Sequence, residues 1–116
     1  MTRGPVHTTL SVERGSAVLT LEIEKGWHVQ SHRPTGGNLA TNVTFSGARF
    51  GALAYPEGRM EKAGGETLSV YSGKVEIRAP IERTAGGPIR ATVEFQPCDE
   101  KRCLAPERVE LEAASR

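Results

Sequence analysis

Ile89-Arg90-Ala91-Thr92-Val93-Glu94-Phe95 sets Ile89, Ala91, Val93 and Phe95 on one face and Arg90, Thr92 and Glu94 on the other. Alternation with a period of two, in β-branched and aromatic residues, is the pattern of a half-buried strand. Upstream, Lys74–Ile81 (KVEIRAPI) aligns Val75, Ile77, Ala79 and Ile81, and Ser16–Ile23 (SAVLTLEI) aligns Ala17, Leu19, Leu21 and Ile23. Asn42–Phe45, Arg49–Ala54 and Arg108–Leu111 are shorter candidates. No apolar stripe recurs at helical spacing. Gly36-Gly37, Gly64-Gly65 and Gly86-Gly87-Pro88 mark turns between the runs. About six or seven short strands separated by such turns predict an all-β sandwich.

The 116 residues suit one domain over 1–116. A hydrophobic content of 37% and a charged content of 25% describe a globular chain rather than a disordered one. The 15 basic and 14 acidic residues nearly cancel, which argues against a nucleic-acid binder that tracks phosphates. No run approaches the roughly 18 apolar residues of a membrane span, so no direct insertion into a membrane is expected. Met1–Gly15 has no apolar stretch after Arg3 and does not read as a secretory signal; an exported form would have lost its signal earlier. The tails Met1–Pro5 and Ala113–Arg116 are expected to fray.

The two cysteines lie just beyond the Ile89–Phe95 strand, in Gln96-Pro97-Cys98-Asp99-Glu100-Lys101-Arg102-Cys103-Leu104. The chain enters this segment from one strand and leaves it into another, Arg108–Leu111. The intervening turn can bring the two Cα atoms into bridging range, about 4.4–6.8 Å. Three readings are open. A structural disulfide closing a loop of about six residues contributes only about 2 kcal/mol, against nearly 5 kcal/mol for a loop of about 100. An exchange-active pair fits the short spacing, an exposed loop and flanking charges. A metal site would find here only half of a tetrahedral zinc shell. His28 and His32 are four apart, but in an extended segment that does not align them, and His7 is near a tail.

Four signatures in this order resemble the N-terminal domain family of the bacterial thiol:disulfide interchange protein DsbD, over about Val6 to Leu111. They are Gly26-Trp27-His28-Val29-Gln30-Ser31 with Pro34, Tyr55-Pro56-Glu57-Gly58, Leu68-Ser69-Val70-Tyr71-Ser72-Gly73, and Phe95-Gln96-Pro97-Cys98 through Cys103-Leu104-Ala105-Pro106-Glu107. The resemblance implies an immunoglobulin-like β-sandwich with a periplasmic address, either alone or as a domain of a membrane protein. It implies that Cys98 and Cys103 are the catalytic pair of a protein-disulfide reductase with no cofactor and no metal. A thioredoxin-like domain would be the electron donor, and oxidised periplasmic thiol-disulfide proteins the acceptors. The reading from a different class is a non-catalytic immunoglobulin-like binding or assembly module with a structural bridge. The sequence has four residues between the cysteines where some members have five, Ala105 where proline is common, and Phe95 where tyrosine is common.

Other residues carry further expectations. By resemblance, Val70 and Tyr71 in a loop over Leu68–Gly73 would cover or line the cysteines. Trp27, the single tryptophan, reads as a core anchor. Asp99 and Glu100 follow Cys98, whereas Lys101 and Arg102 precede Cys103. Cations stabilise a thiolate and carboxylates oppose it, so these four residues would tune the pair in favour of Cys103 as the partner-bonding sulfur.

Overall fold

The computed structural model describes residues 4–32, 39–63, 65–84 and 86–113. Pro34, Gly36-Gly37, Gly64, Met1–Arg3 and 114–116, which the sequence reading used, lie outside the described residues. Among those described are ten strands and no helix. They are β1 (Val6–Glu13), β2 (Ser16–Ile23), β3 (Val29–Gln30), β4 (Asn42–Ser46), β5 (Ala48–Phe50), β6 (Arg59–Ala63), β7 (Glu66–Tyr71), β8 (Lys74–Thr84), β9 (Ile89–Phe95) and β10 (Glu107–Ala113). They form three antiparallel sheets, in the orders β1-β2-β8-β5, β10-β9-β4 and β3-β7-β6.

The strands with the cleanest alternation build the core. Leu19, Leu21 and Ile23 of β2, Val75 and Ile77 of β8, Val43 of β4, and Ala91, Val93 and Phe95 of β9 pack in one buried cluster with Val6, Val29 and Tyr71. Each fully buried aliphatic or aromatic side chain contributes about 1.5–3 kcal/mol, so these rows are the main stabilising term. The other face of β2 is buried too. Val18 and Thr20 lie opposite Arg78 and Glu76 of β8, and Arg78 pairs with Glu76 at 2.8 Å and reaches Glu13 of β1 at 4.0 Å. Long charged side chains cover apolar surface with their stems while their heads stay in water.

The structure corrects several boundaries. Arg49–Ala54 is a strand only over β5, because the pairing register with β8 shifts between Arg49 and Phe50. Gly51 and Ala54 still bond to Pro80 and Arg78. β10 runs to Ala113, which pairs with Ile89, so that residue is not frayed. Pro5 is buried and its carbonyl accepts the Glu24 amide at 2.8 Å. Leu68–Tyr71 is not a loop but most of β7, held between β3 and β6.

One buried group is at odds with its surroundings. Gln30 is 1% exposed, and among the described residues neither end of its amide has a hydrogen-bond partner. An unpaired buried polar group costs about 1–3 kcal/mol. Gln30→Met, similar in shape and without the amide, is expected to raise the unfolding free energy by about that amount in a urea titration. An unchanged or lower midpoint would show that the amide does have a partner in solution.

Candidate redox site

The site grows out of the end of β9. After the fully buried Phe95, Gln96-Pro97 carries the chain on to Cys98, which forms two backbone bonds to His28: the Cys98 amide donates to the His28 carbonyl, and the His28 amide to the Cys98 carbonyl, both at 2.9 Å. The chain then doubles back. The Asp99 amide donates to the Arg102 carbonyl and the Leu104 amide to the Pro97 carbonyl, each at 2.8 Å. Those two bonds flank Cys98 and Cys103 and make them a directly opposed, non-hydrogen-bonded pair, the arrangement that brings strands closest. The sulfurs are joined at 2.03 Å and the Cα atoms lie 4.0 Å apart. That spacing is shorter than the range expected from the sequence, because the cysteines face each other across a hairpin rather than across a loose loop.

Asp99 builds the turn. Its Oδ1 accepts the amides of Lys101 and Arg102, both at 2.8 Å. These two bonds, and after them the nearby cations of Arg102 and Lys101, hold its carboxyl below the usual carboxylate range. Its other oxygen is 3.9 Å from Arg102 Nε. Asp99 therefore works within the turn, and the Arg102 charge is partly answered there. Gln96 Nε2 donates to the Leu104 carbonyl at 3.1 Å and braces the base of the hairpin.

The two sulfur-bearing residues differ in access. Cys98 is 3% exposed, whereas Cys103 is exposed. Beside them runs a groove bordered by Trp27, His28, Arg59, Ser72, Gly73 and Glu100. Trp27 also packs against the core, as expected of an anchor. It ends the turn Glu24–Trp27, its amide donating to the Glu24 carbonyl at 3.0 Å. Gly26 in that turn has φ 89°, which a residue with a Cβ adopts at a cost.

Val70 and Tyr71 are 1% and 3% exposed. Their cross-strand partners in β3 are Gln30 and Val29. The Tyr71 hydroxyl donates to the Pro56 carbonyl at 2.7 Å and accepts the His32 amide at 3.3 Å. Burial raises the pKa of that phenol. These contacts fasten β7 to β3 and to the Tyr55–Gly58 segment. Tyr55 bonds both backbone groups of Val43 and stacks on His32, with ring centroids 3.6 Å apart. Gly58 explains the glycine of its signature: a Cβ there would collide with Ser69 Oγ and lie 2.7 Å from Ser31 Cβ. The sequence marks His28 as one residue of a signature and as a candidate metal ligand, with no link to the cysteines. Its position opposite Cys98 depends on a long-range pairing, although its place in the Gly-Trp-His signature could have flagged it.

A family model described as thiol:disulfide interchange protein DsbD, N-terminal, matches residues 4–114. The fold is similar to the Neisseria meningitidis DsbD N-terminal domain in its reduced form, with a TM-score of 0.70 and 15% identity over 96% of this chain and 86% of that one. It is equally similar to the structure of the complex between the DsbD and PilB N-terminal domains of that species, with a TM-score of 0.70 and 15% identity over 92% of this chain and 80% of that one. The N-terminal periplasmic domain of Proteus mirabilis ScsB matches with a TM-score of 0.67 and 13% identity, over 94% of this chain but 45% of that longer one. Comparison with curated protein sequences returned no match.

Proposed function

The chain belongs to the DsbD N-terminal domain family, and from that premise we propose that Cys98 and Cys103 pass electrons from a thioredoxin-like dithiol to oxidised periplasmic proteins. The observation that carries this reading is an exposed Cys103 bonded to a buried Cys98 at the tip of a short hairpin. The donor's thiolate attacks Cys103 Sγ. A donor–Cys103 bond forms, the Cys98–Cys103 bond breaks, and its electron pair leaves on Cys98 Sγ. The donor's second thiolate then attacks its own bonded sulfur and releases Cys103, leaving this domain as the dithiol and the donor oxidised. The same steps in reverse reduce an acceptor.

A purely structural bridge is the weaker reading. It would join two residues already opposed in a hydrogen-bonded hairpin, outside the named strands of all three sheets. A protein partner is proposed in the sense of the DsbD–PilB complex, and a periplasmic address in the sense of the ScsB domain. Among the described residues no helix is long and apolar enough to cross a membrane. Val70 and Tyr71 are proposed to serve the pair indirectly, by holding β7 beside β3, which directly follows His28.

Mixing the oxidised protein with a reduced thioredoxin-like protein and alkylating the products tests the proposal. Transfer of the disulfide to the donor is expected for the native pair, and none for Cys98→Ser/Cys103→Ser. The double variant should still unfold cooperatively, since the bridge contributes about 2 kcal/mol of a typical 5–15 kcal/mol. A folded native protein that exchanges with no such dithiol would overturn the reading.

A further inference from the structure

The hairpin sets three side chains in one cross-strand row. His28 is directly opposite Cys98, and Cys98 is directly opposite Cys103. Directly opposed residues of antiparallel strands project to the same face, with Cβ atoms roughly 4.5–5.5 Å apart. The side chain of His28 therefore projects from the same face as that of Cys98, on the side away from Cys103. The two backbone bonds at 2.9 Å fix that register. The ring is half-buried and, among the described residues, has no hydrogen-bond partner. The other two histidines are engaged: His7 pairs with Glu24 at 2.9 Å, and His32 bonds the Thr41 carbonyl and stacks on Tyr55. His28 is thus the uncommitted imidazole, and it is the cross-strand neighbour of the cysteine that the solvent reaches least.

We propose that His28 is the proton-handling residue of the exchange reaction, giving a proton to the Cys98 sulfur as the disulfide opens and taking it back as the disulfide re-forms. The inference rests on the reading of the pair as exchange-active. When a donor thiolate bonds Cys103, the electron pair of the broken S–S bond arrives on Cys98, where little water can solvate it. A protonated imidazole beside it stabilises the thiolate as an ion pair or transfers N–H to give the thiol and neutral His28. In the reverse direction neutral His28 removes the Cys98 proton, and the resulting thiolate attacks Cys103 Sγ of the mixed disulfide and expels the partner's thiolate. An imidazole suits both directions because its charge ordinarily changes between pH 5 and 8.

Other charges face the groove. Glu24 and Lys25 come from the preceding turn, Arg59, Glu61 and Lys62 from β6, and Glu100 from the hairpin. They are balanced in sign, so the test compares variants at His28 with these six left in place. In Cys103→Ser, the Cys98 thiol is titrated by thiolate absorbance, with and without His28→Gln. Loss of the imidazole is expected to lower the thiolate fraction near neutral pH about tenfold, one pKa unit. In the two-cysteine protein, His28→Gln should slow exchange with a reduced thioredoxin-like protein by a similar factor. It should also remove an inflection between pH 5 and 8 from the rate profile while the melting temperature holds. An NMR titration of the His28 ring in the native protein needs no variant, and its midpoint is expected to rise on reduction. An unmoved Cys98 titration, or a His28 midpoint identical in the two redox states, would overturn the proposal even if exchange proceeds. Absence of any exchange would strike the functional reading instead, while the Cys98 titration would still decide the role of His28.

Discussion

Cys98→Ser is expected to trap a mixed disulfide with an oxidised thioredoxin-like partner, and Cys103→Ser to trap about tenfold less or none. Two effects favour this outcome, and their sizes differ. A unit charge about 4 Å from a sulfur is worth on the order of 1 kcal/mol in water, somewhat less than one pKa unit. Lys101 and Arg102 could give Cys103 that much, but Asp99 faces Arg102 across the turn and reduces it. Access is the larger effect. Cys98 is 3% exposed and held by two backbone bonds to His28. Freeing it for a partner means breaking bonds worth about 0.5–1.5 kcal/mol each and opening the hairpin as well. Cys103 needs no such opening. In the Cys98→Ser variant this domain's resolving thiol is gone, and with the partner's freed thiol blocked by alkylation the intermolecular bond persists. Non-reducing electrophoresis reads the result, and stronger trapping by Cys103→Ser would refute the assignment.

Phe95→Ala is expected to lower stability by about 3–5 kcal/mol, the usual cost of emptying a buried phenylalanine site. The ring is fully buried among the facing rows of the sandwich, at the last position of β9. Against a typical total of 5–15 kcal/mol, this loss brings the protein close to unfolding at room temperature. It also reaches the site, because Gln96, Pro97 and Cys98 follow directly. A denaturant titration checks it, and a loss below about 1.5 kcal/mol would mean that the core is arranged differently.

These two residues also show what could be read in the sequence. Phe95 ends a run that alternates without interruption, the first eight residues of β8 do the same, and β2 keeps one continuous apolar row although Val18 is buried on its other face; all three occur as strands where the pattern places them. β1 went unread although Val6, Leu10 and Val12 alternate, because the threonines and serine between them blur the contrast of its two faces. β6 reads Arg-Met-Glu-Lys-Ala and has no apolar face; it is an edge strand that exists through its pairing with β7. The resemblance places a loop where β7 lies, although Leu68 and Val70 alternate within it. The proximity of the two cysteines was legible from their spacing. The difference in burial between them was not, because Cys98 is covered by elements far away in the chain. His28 shows the same limit: seventy residues separate it from Cys98, and only the closed sheet makes them neighbours.

The central claim is that the Cys98–Cys103 bond is made to be broken, and the reduction potential of the pair tests it most directly. Equilibration of the whole protein with dithiothreitol or glutathione redox buffers, followed by alkylation and mass measurement, gives the value. The account predicts a potential above about −300 mV, with the fold retained in both states. A potential well below about −300 mV, where structural bridges of secreted proteins lie, would contradict it.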